Sequence, residues 1–294
     1  MESAFFTSQL QSQTRFGTPL RYPGGKAKLT KWFQQLIDFN NINNCHYIEL
    51  YAGGAGAAIK LLLNGNVKTI TINDSDPVIY AFWWSVLNKT EELVKLIENI
   101  EITPDSWYQQ KHIMINHEDF SLLEKGFSAF FLNRTNRSGI LKGGMIGGKN
   151  QLGNYKLDAR FNKIDLIQRI RSIEKFKNNI HIFNEDAINM FDWIDSCNPK
   201  ETLVYLDPPY YNKGSQLYRN FYTYKDHENI ASLVKTIKTP CVVTYDNCYE
   251  IRELYEELDS ETFNIRYSAH MDRPNATELL FYKNLALHDI PLKR

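Results

Sequence analysis

Two spacings of apolar residues alternate along the chain and predict its fold. A helical spacing runs from Lys26 to Ile37, and an apolar, β-prone run follows from Tyr47 to Tyr51. A glycine turn then leads into a helical stretch from Ala57 to Leu63, and a second strand-like run extends from Val67 to Ile72. The first quarter of the chain therefore predicts helix, strand, turn, helix and strand.

The middle of the chain interrupts this alternation. From about Val78 to Arg134 the spacing is almost wholly helical, and a loop with six glycines follows from Ser138 to Tyr155. A basic helical stretch, Lys163 to Phe176, comes next. We expect an inserted, mainly helical subdomain here, because connections between the strands of a compact sheet are usually much shorter.

Strands and helices alternate again in the last third, where helical segments such as His227 to Ile237 separate the strands. The predicted strands are His181 to Phe183, Leu203 to Leu206, Cys241 to Thr244, Phe263 to Tyr267 and Glu278 to Tyr282. This alternation predicts an α/β fold with a mostly parallel sheet and helices on both faces. We expect a sheet-containing domain from residues 18-85 and 178-288, an insertion at 86-177 and an N-terminal tail at 1-17. In such sheets, ligands bind at the carboxyl ends of the strands.

Composition narrows the classes of protein. The chain has 294 residues, of which 43% are hydrophobic, and this is enough for a sizeable core. No run approaches the roughly 18 apolar residues of a membrane span, and residues 1-14 lack an apolar signal core, so we expect a soluble, cytoplasmic protein. The four cysteines form no C-x-x-C pair and the seven histidines show no metal-ligand spacing. We therefore predict reduced thiols and no metal.

The net charge is zero, but the charges are unevenly distributed. From Arg134 to Lys177 there are eleven Lys or Arg and three acids, whereas Glu250 to Glu261 holds six acids and one Arg. A neutral average argues against a protein that coats nucleic acid, yet the first segment is a candidate phosphate-binding surface. A solvated basic loop is the alternative interpretation.

Residues that follow predicted strands carry the candidate chemistry. The segment Tyr51-Ala-Gly-Gly-Ala-Gly56 joins a strand to a helix, where glycines let the backbone approach a ligand and the helix N-terminus presents free N–H groups. Asp74 follows the next strand, where a carboxylate can accept hydrogens from a ribose. Each feature alone also fits a tight turn or a helix N-cap. Together they indicate a nucleoside-containing cofactor.

The most informative tetrapeptide is Asp207-Pro-Pro-Tyr210, which follows the strand Leu203 to Leu206. Its two prolines make a rigid turn that aims the Asp207 carboxylate and the Pro208 carbonyl at one point. Two such acceptors pull on the hydrogens of an exocyclic amine, return electron density to its nitrogen and stabilise the positive charge that develops there. Tyr210 offers a surface on which an extruded base can stack. A proline-rich strand exit without chemistry is the alternative.

These motifs, in this order, resemble the Dam-type adenine-specific DNA methyltransferases. In that family W-x-G-G-K comes first, followed by F-x-G-x-G, an Asn-Asp turn, a DNA-recognition insertion and D-P-P-Y. Here Tyr22-Pro-Gly-Gly-Lys26 fills the first position, and the match extends from Leu20 to about Asn284, with Arg273 to Leu280 resembling the family's last strand. The resemblance implies a Rossmann-like methyltransferase sheet, S-adenosyl-L-methionine as cofactor, and methylation of N6 of a flipped-out adenine in a specific double-stranded DNA sequence.

The resemblance also assigns roles to residues. It implies that the catalytic residues are Asp207, Pro208, Pro209 and Tyr210. The implied cofactor-binding residues are Tyr22, Gly24, Gly25, Lys26, Tyr51, Gly53, Gly54, Ala55, Gly56, Asp74 and Asp186. Tyr22 replaces the family's usual tryptophan, and Ala55 stands where its second glycine usually lies.

The recognition insertion departs from the family members that read GATC. Arg137, Ser138 and Lys142 occupy positions that hold tyrosine, asparagine and arginine there. Because a wedge tyrosine and a base-reading arginine are lost, adenine is predicted as the target but GATC is not. The candidate DNA-contact residues, most of them for phosphates, are Arg134, Arg137, Lys142, Lys149, Lys156 and Arg160.

Other functions fit the sequence less well. Lys26 lacks the G-x-x-x-x-G-K spacing of a nucleotide triphosphatase. Asp207 disfavours a protein-glutamine methyltransferase, whose similar tetrapeptide begins with Asn. The open alternatives are amine methylation of cytosine in DNA or of a base in RNA, and a DNA-binding relative without activity. The recognition sequence, and any restriction-modification or phage-defence partner, also stay open.

Overall fold

One mostly parallel sheet organises the molecule. The computed structural model describes residues 17–22, 26–212, 214, 219–266 and 275–292. Within them, seven strands form a sheet in the order β3-β2-β1-β4-β5-β7-β6. The strands are β1 (His46–Glu49), β2 (Thr69–Asn73), β3 (Ile180–Phe183), β4 (Thr202–Leu206), β5 (Cys241–Asp246), β6 (Asp259–Arg266) and β7 (Asn275–Lys283). All pairs are parallel except those of β7, which runs antiparallel to β5 and β6. The predicted Rossmann-like α/β fold is confirmed.

Helices cover both faces of this sheet. They are α1 (Thr30–Phe39), α2 (Gly56–Leu63), α3 (Pro77–Asn88), α4 (Thr90–Asn99), α5 (Pro104–Ile115), α6 (Leu122–Thr135), α7 (Lys163–Glu174), α8 (Phe191–Asp195), α9 (Tyr224–Thr236) and α10 (Tyr249–Leu254). Successive residues of a strand point to opposite faces. Tyr47 of β1 accordingly packs in a core with Phe33 of α1, whereas Ile48 packs in a second core with Ile230 of α9.

The helical middle of the chain is four helices, α3 to α6, separated by local stop and start signals. The Asp76 carboxylate accepts a hydrogen bond from the backbone of the first turn of α3, and Thr103 caps α5 in the same way. Ser121 and Glu124 form a capping box at the start of α6. Helix α6 packs on α3 through the stacked rings of Phe82 and Phe130, at 5.6 Å. The insertion therefore shares its hydrophobic core with one face of the sheet, and its separate role in DNA recognition stays a prediction.

Element boundaries differ from the sequence predictions where polar residues pair at the edge of the sheet. Strand β6 begins at Asp259, four residues before the predicted Phe263, because an edge strand paired on one side can expose polar side chains. Strand β7 likewise begins at Asn275. Several predicted features lie outside the described residues, namely most of the N-terminal tail (1-16), Gly24, Gly25, Tyr267 and Arg273.

Candidate active site

The carboxyl ends of β1, β2 and β4 meet at a cavity of about 230 Å³. Strand β1 lies between β2 and β4, and the connection after β1 runs over one face of the sheet while that after β4 runs over the other. This is the switch point at which open α/β sheets bind ligands. The predicted site residues that line the cavity are Tyr22, Lys26, Tyr51, Gly53, Gly54, Ala55, Gly56, Asp74, Asp207 and Pro209.

The glycine loop after β1 forms one wall of the cavity. Gly53 has a φ of +45°, and a Cβ atom at this position would lie 2.6 Å from the ring of Tyr22. Only glycine fits both the left-handed conformation and the close approach. Ala55 also has a φ of 45°, and α2 begins at the next residue. The indole nitrogen of Trp83 donates to the Gly53 carbonyl at 3.0 Å, so this buried side chain holds the loop in place.

Asp74 is tied to this loop by its carboxylate. One oxygen accepts the Gly53 N–H at 2.7 Å and the other accepts the Asp76 N–H at 2.9 Å. Burial, followed by the nearby charge of Asp76, raises the pKa of Asp74 to about 7. The preceding residue, Asn73, is buried, and its amide donates to backbone carbonyls beyond β1 and β3, both at 3.0 Å. The ends of three strands are thereby fixed around Asp74.

Lys26 and Asp207 form a buried ion pair on the other side of the cavity. The Lys26 Nζ atom lies 2.8 Å from Oδ1 and 2.9 Å from Oδ2 of Asp207, and Lys26 is only 3% exposed. The Thr244 hydroxyl donates to Oδ1 at 2.8 Å. Burial raises the pKa of the Asp207 carboxyl, and the charge of Lys26 opposes that rise. Lys26 and Thr244 therefore orient the Asp207 carboxylate, and the charge of Lys26 favours its ionised form.

A second carboxylate, Glu278 of β7, completes this cluster. Glu278 is 1% exposed, and its Oε2 atom lies 3.4 Å from the Lys26 Nζ atom. Its Oε1 atom accepts the hydroxyl hydrogen of Tyr210 at 2.7 Å. The Lys26 ammonium also lies 5.5 Å from the centre of the Tyr210 ring. The acid and the aromatic residue of the D-P-P-Y tetrapeptide are thus held by one lysine and one glutamate.

The turn after Tyr210 is fixed from the neighbouring strand. The Asp246 carboxylate at the end of β5 accepts the N–H groups of Tyr211 and Asn212, at 2.9 and 3.2 Å. Pro208 is buried, and Pro209 lines the cavity. Asp246 therefore fixes the chain that leaves the tetrapeptide, so that the prolines and this cap act together to make the turn rigid.

Glu49 is a further acid of the cavity. It ends β1, is buried, and accepts the Ala58 N–H of α2 at 3.1 Å. Burial raises the pKa of the Glu49 carboxyl to about 8. At neutral pH this side chain therefore titrates readily in response to a charge placed in the cavity.

Residues 219–222 form a strap along the cavity. Arg219 and Asn220 line it. Arg219 pairs with Asp76 at 3.3 Å, and the Asn220 amide donates to Ser75 at 3.2 Å. The hydroxyls of Tyr51 and Tyr222 share a hydrogen bond of 3.0 Å.

Asp186 lies near the strap but outside the cavity wall. It is exposed and caps the turn that begins at Ala187. Burial of Tyr222 raises the pKa of its hydroxyl, and the charge of Asp186 raises it further. Asp186 is therefore the one predicted cofactor residue among those described that does not line the cavity.

Four arginines lie near one another at the base of the recognition segment, namely Arg21, Arg134, Arg160 and Arg169. Buried nitrogens of Arg21 (Nη1) and Arg134 (Nε) have no hydrogen-bond partner. Burial, together with the charges of Arg21 and Arg169, lowers the pKa of Arg134 to about 9. The Asn133 side chain joins the two segments, because it accepts the Arg21 N–H at 2.7 Å and donates to the Arg21 carbonyl at 2.6 Å. Such a cluster attracts an anion.

The other predicted DNA-contact residues are on the surface. Arg134 is half-buried, and those that are exposed are Arg137, Lys142, Lys149, Lys156 and Arg160. Among the described residues, no group of three or more His, Cys, Asp or Glu side chains could hold a metal. In the same part of the chain, no helix is long and apolar enough to cross a membrane.

Sequence reasoning missed several residues that the structure brings to the site. Glu49 and Glu278 lie inside apolar strands, and an acid in such a run is itself a signal of a buried polar site. Thr244 and Asp246 end a strand, so the rule applied to Asp74 and Asp207 would have found them. The sequence around Arg219 contains no motif or strand exit that would have predicted a place in the site.

Comparison with known proteins adds an independent finding. The model of the D12 class N6 adenine-specific DNA methyltransferases matches residues 22–272. The chain is 23% identical over 204 residues to the type II methyltransferase M.MjaIII of Methanocaldococcus jannaschii, covering 65% of this chain and 68% of that protein. It is also 23% identical over 255 residues to the type II methyltransferase M.CviBI of Paramecium bursaria Chlorella virus NC1A, covering 84% and 90%.

More remote similarities exist. Over 127 residues the chain is 34% identical to the ribosomal RNA small subunit methyltransferase H of Mycoplasma genitalium, covering 42% of this chain and 40% of that protein. Among solved structures, the rRNA methyltransferase AviRa of Streptomyces viridochromogenes aligns with a TM-score of 0.39 and 9% identity, covering 94% and 91% of the two chains.

Proposed function

Because this chain belongs to the D12 class N6 adenine-specific DNA methyltransferase family, we propose that its cavity binds S-adenosylmethionine beside an adenine held by Asp207 to Tyr210. The enzyme methylates N6 of adenine in DNA, and its family and fold imply S-adenosylmethionine as the methyl donor. One observation carries the proposal: Asp74, the glycine loop and Asp207 line the same cavity. A cofactor bound by the first two would lie next to the third.

The charges of the cavity fit this cofactor. Glu49, Asp74 and Asp207 line it with carboxyl groups, and S-adenosylmethionine carries a positive ammonium and a positive sulfonium. Each Asp74 oxygen accepts one backbone N–H and has a second lone pair for a ribose hydroxyl. Glycine at position 53 keeps the wall of the cavity open, since any side chain there would meet Tyr22. When bound, the cofactor supplies a methyl group on a positively charged sulfur.

Asp207 and the Pro208 carbonyl would accept the two hydrogens of the adenine amine. A carboxylate offers about four lone-pair sites; Lys26 uses one on each Asp207 oxygen, and Thr244 uses the second on Oδ1. One site on Oδ2 is left for the amine. Lys26 keeps this carboxylate ionised, so that it accepts hydrogens rather than donating one. Electron density would return to the amine nitrogen, which would take the methyl group that the bound cofactor supplies as the carbon–sulfur bond breaks.

The same residues serve the later part of the reaction. Once the nitrogen–carbon bond has formed, the nitrogen is positive and must release one proton. Asp207 already accepts that hydrogen and is the base at hand. Tyr210 stacks on the extruded base, and its hydrogen bond to Glu278 fixes the ring in place before the base arrives. A preorganised ring needs no ordering at the moment of binding.

The recognition surface is proposed to be residues 86-177 together with Arg21. Arg134, Arg21 and their neighbours concentrate positive charge at the base of this segment. DNA phosphates are attracted to such a charge. Lys142, Lys149, Lys156 and Arg160 extend this surface with exposed side chains. Because two relatives are type II methyltransferases, we propose that this enzyme modifies a defined DNA sequence.

Methyl transfer to defined nucleic acids tests the proposal. Purified protein is incubated with labelled S-adenosylmethionine and, separately, mixed-sequence duplex DNA, single-stranded DNA and ribosomal RNA, and the products are digested to nucleosides. We expect N6-methyladenosine in duplex DNA with the wild type and none with Asp207→Ala, while both proteins bind the cofactor equally in calorimetry. Label in RNA alone would instead support a ribosomal RNA substrate, the class named for the Mycoplasma genitalium relative. Label in cytosine of DNA would support the cytosine alternative.

A further inference from the structure

An exposed aromatic side chain, Phe221, lies beside the tetrapeptide that holds the target base. Phe221 is 54% exposed. A Cβ atom built on Gly214 would lie 3.5 Å from the Pro209 Cβ atom and 3.6 Å from the Phe221 Cβ atom. Phe221 is thus separated from the Asp207-Pro-Pro-Tyr210 turn by a single glycine.

The backbone that carries Phe221 is anchored on both sides. Asn220 precedes it and donates to Ser75, and Tyr222 follows it and bonds to Tyr51. Both anchors hold the strap to the loops after β1 and β2. An exposed ring on a fixed backbone loses little conformational freedom when it enters a complex, because only its own side chain must be ordered.

The ring of Phe221 also faces the recognition segment. The Lys142 Nζ atom lies 6.0 Å from the centre of the ring. Lys142 is exposed and belongs to the proposed DNA-contact residues, so DNA that reaches Lys142 also reaches Phe221. The ring does not line the cofactor cavity.

We infer that Phe221 enters the duplex where the target adenine leaves it, and stacks on the exposed base pair. The inference rests on the proposed function. Extrusion of a base removes its stacking, and an apolar or aromatic side chain that fills the gap replaces it. Phe221 supplies such a ring from the strap.

Two DNA duplexes separate this role from others. Both carry the target site mapped by methylation sequencing; in one the target adenine is paired with thymine, and in the other it faces an abasic position. We expect Phe221→Ala to lower kcat/KM on the paired duplex about ten-fold or more, because base–aromatic stacking is worth roughly that much. On the abasic duplex, where little pairing opposes extrusion, the loss should shrink to within about two-fold.

Controls identify the cause of any change. Phe221→Tyr keeps an aromatic ring and is expected to retain the wild-type ratio between the two duplexes. Phe39→Ala removes a phenylalanine with the same 54% exposure at the far end of α1 and is expected to change neither rate. An equal loss on both duplexes, or no loss on either, would overturn the wedge role. If the wild type methylates neither duplex, the proposed function itself fails. That result differs from an equal loss in the variant and from no loss, because both of those require an active wild type.

Discussion

The Lys26 ammonium lies 2.8 Å from Oδ1 of Asp207, although 181 positions separate the two residues in the sequence. The pair joins the segment before α1 to the end of β4, and Glu278 lies 3.4 Å from the same ammonium. One buried cation therefore faces the buried carboxylate of Glu278 and the partly buried carboxylate of Asp207. The Lys26 cation makes the Asp207 carboxylate suited to accept amine hydrogens. The stability of the site and the pH dependence of the activity both follow from this contact.

Lys26→Met should test the pair directly. The substitution leaves these two carboxylates without a cation, so we expect the free energy of unfolding to fall by about 3 kcal/mol. Without Lys26, burial raises the pKa of Asp207 further. Because the ionised form is active, the acid limb of the kcat profile should move to higher pH. Thermal unfolding and a pH series measure these changes, with Lys28→Met as an exposed control two residues away. An acid limb that stays in place contradicts the role of the pair.

Glu278→Ala should separate base positioning from cofactor binding. The Tyr210 hydroxyl loses the carboxylate that accepts its hydrogen at 2.7 Å, and the loss of such a buried hydrogen bond costs about 1 to 3 kcal/mol. We expect kcat/KM for DNA to fall about ten-fold or more, while the cofactor dissociation constant measured by calorimetry stays within about two-fold. Glu278→Gln keeps an acceptor for Tyr210 and should recover part of the loss. A matching loss of cofactor affinity would place Glu278 in the cofactor site instead.

The raised pKa values of Glu49 and Asp74 predict a pH-dependent stability. Burial raises them to about 8 and about 7, from ordinary values of 4.5 and 3.8. Between these values the folded protein binds protons that the unfolded chain has released, so this contribution to stability is complete below about pH 4 and is lost as the pH rises through 7 and 8. The melting temperature of the cofactor-free protein should therefore fall between pH 6 and pH 9.

Glu49→Gln is the variant that checks this sign. It removes the more basic of the two carboxyl groups, so the fall in melting temperature above pH 7 should become shallower. Glu201→Gln changes an exposed glutamate and should leave the slope as it is. A cationic cofactor favours the ionised carboxylates, so its stabilising effect on the wild type should grow with pH. A melting temperature that rises from pH 6 to pH 9 contradicts the burial of these charges.

Gly53→Ala should weaken cofactor binding through the shape of the loop. The added Cβ atom would lie 2.6 Å from the Tyr22 ring and would hold a φ of +45°, a conformation that costs about 1 to 2 kcal/mol for a residue with a Cβ. We expect the cofactor dissociation constant to rise at least about ten-fold. Gly144→Ala is the matched control, since nothing lies within 4 Å of its Cβ position. Equal affinities for the two variants would show that the loop does not contact the cofactor.

Arg134→Met should trade stability against DNA binding. Burial and the charges of Arg21 and Arg169 disfavour the Arg134 cation in the free protein, so methionine, which keeps the apolar stem, should raise the free energy of unfolding. It should also weaken DNA binding. The slope of log Kd against log salt concentration should fall by about 1, the value expected for the loss of one phosphate contact. Lys175→Met, on the exposed surface, should change neither. A variant that is more stable and binds DNA unchanged would remove Arg134 from the interface.

The sequence predicted the sheet and the position of the site because both depend on local patterns. The strand exits at Tyr51, Asp74 and Asp207 were recognisable as turns after apolar runs, and the switch-point rule placed them together. The boundaries of β6 were wrong because an edge strand tolerates polar residues that hide its pattern. The helical stretch from about Val78 to Arg134 contains four helices, and local caps at Asp76, Thr103 and Ser121 start three of them.

The partners of the catalytic residues could not be predicted, since they come from distant segments. Nothing near Asp207 in the sequence indicates that Lys26 and Thr244 both bond to it. The same holds for Glu278, which orients Tyr210 from the last strand, and for Arg219, which reaches Asp76 over the cavity. Such contacts depend on strand order and side-chain packing, and a residue's own neighbours carry no record of them.

The central claim is that Asp207 and the Pro208 carbonyl hold the amine of an extruded adenine. A crystal structure of the enzyme with S-adenosylhomocysteine and duplex DNA carrying the mapped target site tests it most directly. The account predicts N6 of the extruded adenine within hydrogen-bond distance, about 3 Å, of both Oδ2 of Asp207 and the Pro208 carbonyl, with its ring on Tyr210. An adenine bound in this structure with its amine directed away from both acceptors would contradict the account.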